Sequence, residues 1–285
     1  MVNSDATNLE KAVTGGESAP EIQVEREIQR LQRRWVVELE QMRRFHQWLD
    51  EKRTARQACR VVGDSRTGKT IACETYRLKH PPTLSSGQPP QVPVVSWQSP
   101  PESGNRELFE GILQALRYQL SRGTLSEMRS RVYRTLKACQ VEMLIIDEAH
   151  RLRPKTFSEL QDILDSLQIA IVLVGTDRLD AVIRRDEQIY YRFIASHRYE
   201  RLTSTQLVET SVIWERHVLR LPEASNLGSA KMQKVLGPVT GGYLGLLDRI
   251  LREAAVRSLA RGLKRIEFKI LSEVAAECRY RSSQW

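Results

Sequence analysis

The feature that most constrains this chain is the stretch at residues 63–70, which has the spacing G-x-x-x-x-G-K-T. It follows the apolar run 58–62 and opens a segment with helical spacing from about Lys69. Glycine lets the backbone turn sharply, so that a buried strand can pass directly into a helix. The stretch therefore predicts a strand, a tight loop and a helix, in that order, at one edge of a sheet.

The same loop has the chemistry of a phosphate-binding site. Successive backbone N–H groups and the start of a helix attract phosphate oxygens. We expect Lys69 to contact the β- and γ-phosphates of ATP and Thr70 to ligate Mg²⁺. A glycine turn that precedes Lys-Thr by chance is the alternative. The predicted nucleotide-binding residues of the loop are Gly63, Asp64, Ser65, Arg66, Thr67, Gly68, Lys69 and Thr70.

A second apolar run, at residues 143–146, ends in the carboxylates of Asp147 and Glu148. The carboxyl ends of parallel strands face the ligand in open α/β sheets. Asp147 is therefore expected to hold Mg²⁺ together with Thr70, and Glu148 to orient and polarise the attacking water. Two acids that only form a turn are the alternative. The motif D-E-A-H is completed here, but helicases of that kind need a second α/β domain, so His150 is interpreted as a surface loop residue.

Two more candidate residues follow later in the chain. Thr176 comes after the apolar run 169–174, where a sensor of the bound phosphate is expected, with Asp177 as the alternative. Arg192 is the predicted arginine finger, which would contact the γ-phosphate of a neighbouring subunit, with Arg185 as the alternative. Arginines solvated on a helix surface are the competing interpretation. The predicted catalytic residues are Lys69, Asp147, Glu148, Thr176 and Arg192.

Short apolar runs that alternate with helical stretches predict an α/β fold with a five-stranded parallel sheet. This pattern, with the loop at 63–70, predicts an AAA+ P-loop NTPase with a small C-terminal all-helical lid. The strands are expected at 58–62, 92–97, 143–146, 169–174 and 198–202. The expected divisions are a disordered lead-in at 1–25, a basic helical segment at 26–57, an α/β nucleotide-binding subdomain at 58–202, and a helical lid with its tail at 203–285.

The charge balance favours a polyanionic partner, because the net charge is +9 and cations bind nucleic acid by releasing its counterions. Arg106 at a helix start, with Arg122 and Thr124 at a turn, are the predicted DNA contacts; such groups hold phosphates without reading sequence. A solvated basic surface is the alternative. No apolar stretch has the length of a membrane span and the start lacks a signal-peptide pattern, so we expect a cytoplasmic protein without a membrane partner.

Four segments taken together resemble TnsC, the family of AAA+ regulators of transposons that use a type V-K CRISPR effector. The segments are RRFHQWLDEKRTARQACRVVGDSRTGKT, VEMLIIDEAHRLRP, IAIVLVGTDRLDAVIRRDEQIYYRF and ILREAAVRSLARGLKRI. The similarity extends from about residue 39 to 277. More distantly, the chain looks like TniB and the initiator branch of AAA+ proteins.

The resemblance implies an ATPase that assembles with ATP into helical filaments or rings around double-stranded DNA. The implied partners are other copies of the chain, the transposase TnsB, and TniQ with the type V-K CRISPR effector complex; hydrolysis would drive disassembly. By position, the Walker residues of the family fall on Lys69, Thr70, Asp147 and Glu148. Its DNA-facing residues fall on Arg106 and Thr124.

The chain departs from the family at the start of sensor 2. The motif G-x-x-G-R appears here as residues 242–246, with Leu246 in place of the arginine. Arg249, one turn later on the same helix face, is expected to take its place at the nucleotide.

Two other functions remain open from the sequence. A helicase loader or replication-initiator-like motor would need hydrolysis for all of its activity, whereas a scaffold needs it only for release. A signalling NTPase switch would bind DNA weakly or independently of salt.

Overall fold

The computed structural model describes residues 19–33, 35–118 and 123–282. The strands are β1 (Ala58–Val62), β2 (Val94–Gln98), β3 (Met143–Asp147), β4 (Ala170–Gly175) and β5 (Ser196–Arg198). The helices are α1 (Ala19–Gln32), α2 (Glu40–Thr54), α3 (Lys69–Lys79), α4 (Asn105–Ala115), α5 (Leu125–Ala138), α6 (Pro154–Leu167), α7 (Asp177–Ile183), α8 (Glu187–Arg192), α9 (Ser204–Trp214), α10 (Ala230–Thr240), α11 (Leu244–Ala260) and α12 (Phe268–Ser282). A 3₁₀ turn at Ala149–Arg151 follows β3, and a π-helical turn at Glu215–Leu219 continues α9.

The five strands form one sheet in the order β2-β3-β4-β1-β5, and every pair is parallel. β1, β3 and β4 are buried along their whole length. Helices cover both faces of such a sheet, which is why its inner strands are continuous apolar runs. The predicted five-stranded parallel sheet is therefore confirmed, with β4 in the middle and β1 between β4 and the edge strand β5.

The predicted fifth strand was placed too far along the chain. β5 spans Ser196–Arg198, and only Tyr199 continues its contact, through an N–H that donates to the Val62 carbonyl at 2.8 Å. The Leu202 N–H donates instead to the Gly242 carbonyl at 2.8 Å. The edge strand is short and half exposed, so it lacks the apolar run by which the inner strands were recognised.

Helices α9 to α12 pack around a core of their own, and α1 belongs to it. Leu31 of α1 is fully buried in the same cluster as Leu247, Leu251 and Leu271. Arg30 donates to the carbonyl oxygens of Val218 and Leu219, at 2.9 and 2.5 Å, at the end of the π-helical turn. The helical lid therefore includes a helix from the other end of the chain.

The N-terminal region is organised differently from the two predicted divisions, 1–25 and 26–57. Residues 1–18, within the predicted disordered lead-in, lie outside the described residues, but residues 19–25 are helical, so the expectation of disorder was wrong there. Residues 26–57 were expected to form one basic helical segment. Instead α1 packs on the lid, whereas α2 packs on the sheet through Phe45 and Leu49. Leu39 still packs in the lid core and Met42 in the core beneath the sheet, so the chain crosses from one unit to the other between these two residues.

Among the described residues, none of the helices has both the length and the apolar content that crossing a bilayer requires.

Candidate functional site

The loop between β1 and α3 closes on itself through Lys69. Its Nζ donates to the carbonyl oxygens of Gly63 and Asp64, at 2.8 and 2.6 Å, and Thr67 Oγ1 donates to the Asp64 carbonyl at 2.8 Å. Gly68 has a φ of 107°, where a side chain is strained. A Cβ at Gly63 would overlap the carbonyl oxygen of Tyr199. Both glycines of the motif are therefore required by the backbone itself.

The charges at the centre of the site are largely buried. Burial lowers the pKa of the Lys69 ammonium, although the carboxylates of Asp147 and Glu148 oppose the shift. Burial also raises the pKa of the Asp147 carboxyl, against the hydrogen bond from Thr70. A buried cation whose hydrogen bonds go only to neutral carbonyl groups is poorly compensated. An anionic ligand would supply the charge that the loop lacks.

Thr70 and Asp147 meet where α3 begins and β3 ends. Thr70 Oγ1 donates to Asp147 Oδ2 at 2.7 Å, and the Glu148 N–H donates to Asp147 Oδ1 at 2.8 Å. Mg²⁺ prefers oxygen ligands and is usually held by one or two protein groups plus water and phosphate oxygens. No cluster of three or more His, Cys, Asp or Glu side chains suited to a metal occurs in the part of the chain that the structure describes. The Thr70–Asp147 pair fits an ion shared with a phosphate.

Glu148 stands just beyond β3 with a left-handed backbone, φ 55°. Its carboxylate lies 3.5 Å from His150 Nε2 and 3.3 Å from the Arg151 guanidinium. The interpretation of His150 as a surface residue was wrong, because its side chain is only 13% exposed and burial lowers the pKa of the imidazole. Gly175, at the end of the next strand, approaches the ring, a contact that no local pattern reveals.

Thr176 has a buried hydroxyl group without a hydrogen-bond partner. With Glu148 and His150 it lines a cavity of about 700 Å³, which Asp64 and Leu246 also line. A buried hydroxyl left unpaired costs free energy unless a ligand or water satisfies it. The cavity therefore brings the predicted sensor beside the predicted water-orienting carboxylate. Asp177, the alternative sensor, is engaged instead by Arg198, with N–O distances of 3.0 and 3.3 Å.

A second cavity, of about 410 Å³, lies on the other side of the loop. One part of it is lined by the phosphate loop, and another by Trp35, Trp214 and Leu244. The loop residues are Ser65, Arg66, Gly68, Lys69 and Thr70. Apolar and aromatic walls beside a phosphate loop suit a heteroaromatic base. Trp35 is 37% exposed, and its ring lies 5.6 Å from the Arg220 guanidinium.

The lid touches the loop directly. The Gly245 N–H donates to the Arg66 carbonyl at 2.9 Å. Arg201 Nε lies 2.7 Å from Asp64 Oδ2, and the same guanidinium stacks on the Tyr243 ring at 4.2 Å. Any ligand that moves the loop will therefore move the lid.

The expected substitute for the sensor 2 arginine is not at the site. Arg249 is exposed on α11 and lines neither of these two cavities, whereas Leu246 lines the larger one. Sequence reasoning missed Arg252, which lines the smaller cavity and is held by Asp248 at 2.7 Å and by the Leu31 carbonyl at 2.6 Å. The sequence pattern that could have indicated Arg252 is Asp248, an acid four residues earlier on the same helix face.

Arg192 ends α8, away from both cavities of its own chain. It is 49% exposed and forms an ion pair of 2.6 Å with Asp165. Arg60, a buried residue of β1, secures this region by pairing with Asp180 at 2.8 Å and by donating to the Phe193 carbonyl. Arg185, the alternative finger, is also exposed. Arg192 would have to leave Asp165 to reach an adjacent subunit.

Two of the three predicted DNA contacts are neighbours. Arg106 donates to the Gly123 carbonyl at 3.1 Å, next to Thr124 at the start of α5. Thr124 caps this helix. Its Oγ1 accepts a hydrogen bond from the Glu127 N–H at 3.3 Å, and the backbone N–H of Thr124 donates to the Glu127 carboxylate at 2.7 Å. Arg122 lies outside the described residues.

The sequence of this chain matches a known protein family. Residues 24–201 match the family model described as "Bacterial TniB protein". The chain belongs to the TniB family. The predicted relationship to TniB, a family of AAA+ ATPases of Tn7-like transposition, is confirmed. No curated protein matches the chain.

Solved structures similar to this TniB-family chain include ORC and Cdc6 proteins. They include Cdc6p from Pyrobaculum aerophilum, with a TM-score of 0.69 and 18% identity over 88% of this chain and 70% of that one. The Aeropyrum pernix ORC2 protein in ADPNP-ADP complexes has a TM-score of 0.67 at 15% identity, covering 88% and 71%. The Aeropyrum pernix ORC1 protein in complex with DNA has 0.63 at 15%, covering 88% and 69%. The predicted AAA+ fold is confirmed.

Proposed function

We propose that this chain is an ATP-dependent, DNA-binding regulator of transposition that forms oligomers or filaments on duplex DNA. It would couple the selection of a target, by TniQ and a type V-K CRISPR effector, to the transposase TnsB, and hydrolysis would disassemble it. The observation that carries the proposal is the buried Lys69 ammonium, which contacts only backbone carbonyls at 2.8 and 2.6 Å, beside the Thr70–Asp147 pair. Membership of the TniB family supports the link to transposition.

In this proposal each predicted residue of the site has a role. The triphosphate of ATP would replace the carbonyl partners of Lys69, and the base would enter the cavity beside Trp35. Thr70 and Asp147 would hold Mg²⁺, which neutralises charge on the phosphate oxygens. Glu148 would orient the attacking water, and the unpaired Thr176 hydroxyl would donate to the reacting phosphate. Arg192 would act on the ATP of an adjacent copy.

DNA binding is supported by charge and by position. Arg106 and Thr124 lie together at the surface and present a guanidinium and a helix start. Such groups bind phosphates of any sequence. The similar Aeropyrum pernix ORC1 protein was solved in complex with DNA. Arg122 is part of the same proposal, although its position is not described.

The test is electron microscopy of the protein on duplex DNA with ATP or with a non-hydrolysable analogue. We expect ordered assemblies with either nucleotide, which persist with the analogue and disappear as ATP is consumed. Assembly that is equally complete without nucleotide would contradict the proposal.

A helicase-loader or initiator-like motor is the second candidate, favoured by the similarity of the fold to Cdc6p. The same images separate the two functions. A motor stalls with the analogue and shows no productive complex, whereas a scaffold shows its most stable complex there.

Arg106→Ala combined with Thr124→Ala should weaken duplex binding equally at all sequences. A variant with fewer phosphate contacts releases fewer counterions when it binds DNA. The slope of log affinity against log salt should therefore become shallower by about one per lost contact. Fluorescence anisotropy across a salt series measures this. Lys137→Ala, exposed at the other end of α5, is the matched control. A change in sequence preference alone would contradict the assignment.

A further inference from the structure

A cavity of about 1330 Å³, larger than either cavity of the nucleotide site, lies in the helical lid. We call it the lid groove; it runs between the π-helical turn Glu215–Leu219 and the start of α12 at Phe268. Val212, Met232 and Ile266 contribute an apolar floor. Phe268 is 37% exposed at the edge. Apolar surface of this kind in a concave site favours a protein or peptide ligand.

Five exposed cations line the lid groove: Arg216, Arg220, Lys231, Arg265 and Lys269. None of them forms an ion pair with any residue that the structure describes. Elsewhere the arginines are commonly paired, as Arg257 is with Glu253 and Glu277 at 2.7 and 2.6 Å. Two of the groove cations rest on aromatic rings instead, Lys231 on Phe268 at 4.7 Å and Arg220 on Trp35 at 5.6 Å. The groove thus carries an excess of positive charge, with five cations against three acids in its lining.

Glu215 also lines the groove and keeps its negative charge, but its carboxylate hydrogen-bonds to backbone and forms no ion pair with the five cations among the described residues. It accepts backbone N–H groups from Ser225, Asn226 and Leu227, at 2.5, 2.9 and 2.8 Å. These three bonds hold the loop that forms one wall of the groove. Two other acids, Glu223 and Glu267, line the groove and are exposed.

We propose that the lid groove binds an acidic peptide segment of a partner protein, with an apolar side chain of that segment on the groove floor. Because the exposed Glu223 and Glu267 also line the groove, it suits a peptide, whose carboxylates can be spaced to fit the cations, better than a continuous row of phosphates. A nucleic-acid backbone would also leave the apolar floor unused. The assignment does not depend on the nucleotide site, which the groove does not share.

The experiment is a selection from a random peptide library with three forms of the full chain: wild type, Arg216→Glu with Lys269→Glu, and a control. The control, Lys234→Glu with Lys264→Glu, makes the same charge change at residues that do not line the groove. We expect wild type and control to enrich peptides rich in Asp and Glu around an apolar residue. The groove variant should reject these peptides and enrich Lys and Arg, because like charges repel across an interface.

Fluorescence anisotropy with one enriched peptide then measures the affinity. We expect at least about a tenfold loss in the groove variant, and weaker binding at higher salt. Phe268→Ala should also weaken binding, with all charges kept. Circular dichroism checks that each variant is folded.

Three results would overturn the proposal. The first is acidic enrichment that survives the charge reversal. The second is a groove variant that loses duplex DNA but no peptide, which would assign the surface to nucleic acid. The third is enrichment of peptides matching this chain, together with lost self-assembly in the groove variant, which would assign the groove to a second copy.

Discussion

The nucleotide site and the lid groove are both lined by cations, but the cations differ in what they already contact. Lys69 is buried and bonded to the carbonyls of Gly63 and Asp64, and Asp64 is itself held by Arg201. The five groove cations are exposed and have no ion pair with described residues. A ligand of the first site must replace internal contacts and so rearranges the loop and lid. A ligand of the second meets exposed cations and has no ion pair with a described residue to break.

The largest expected difference concerns turnover. Glu148→Gln should lower the rate of ATP hydrolysis by about a hundredfold or more, because an amide cannot act as the base that activates water. ATP binding should persist, which lengthens the life of DNA-bound assemblies. The matched change in the groove, Glu267→Gln, should leave hydrolysis unaltered. A phosphate-release assay compares them. Equal rates of ATP hydrolysis for the two variants would contradict a catalytic role for Glu148.

Lys69→Ala should weaken ATP binding by about tenfold to a hundredfold, because a hydrogen bond to a charged group contributes about 1.5–3 kcal/mol. Lys269→Ala removes the same charge from the groove and should not change ATP affinity. Isothermal titration calorimetry with Mg²⁺ present measures both. If Lys69→Ala and Lys269→Ala bind ATP with the same affinity, the loop is not the triphosphate site.

Leu246→Arg should tighten ATP binding several-fold. The side chain at this position lines the cavity that contains Glu148, so an arginine there adds a cation beside the phosphates. Leu221→Arg in the groove adds the same charge elsewhere and serves as the control. The comparison uses the dissociation constants of both variants. Weaker binding by Leu246→Arg would mean that the lid approaches the ligand differently.

The smallest effect belongs to Arg201→Ala. This arginine joins Asp64 of the loop to Tyr243 of the lid, but the pair is exposed, and exposed pairs contribute little. We expect at most a few-fold change in ATP affinity, together with faster hydrogen exchange at residues 243–246. Arg265→Ala should change neither quantity. Unchanged exchange in Arg201→Ala would show that the Gly245–Arg66 hydrogen bond alone couples loop and lid.

Much of the fold and the phosphate-binding loop could be predicted from patterns among residues close together in the sequence. The run 58–62 and the glycine spacing of 63–70 predicted β1 and the start of α3 at Lys69, because a strand covered on both faces is a continuous apolar run. Asp147 and Glu148 were predicted at the end of β3 for the same reason. The edge strand β5 was misplaced because it has no such run.

Several features depend on residues far apart in the chain, which no local pattern relates. Arg201 and Asp64 are 137 residues apart, and Arg252 reaches the Leu31 carbonyl across 221 residues. The burial of His150, the exposure of Trp35 and the displacement of Arg249 from the cavities follow from such contacts.

The amino-acid sequence by itself determined the phosphate loop, the acidic strand end and the parallel sheet, because each depends on backbone geometry and burial within a few neighbouring residues. Only the tertiary structure decided that α1 joins the lid, which arginine of α11 faces the nucleotide cavity, and that a charged groove opens beside Phe268. The physical reason is that side-chain packing and charge compensation are properties of three-dimensional neighbours, and folding alone selects those neighbours.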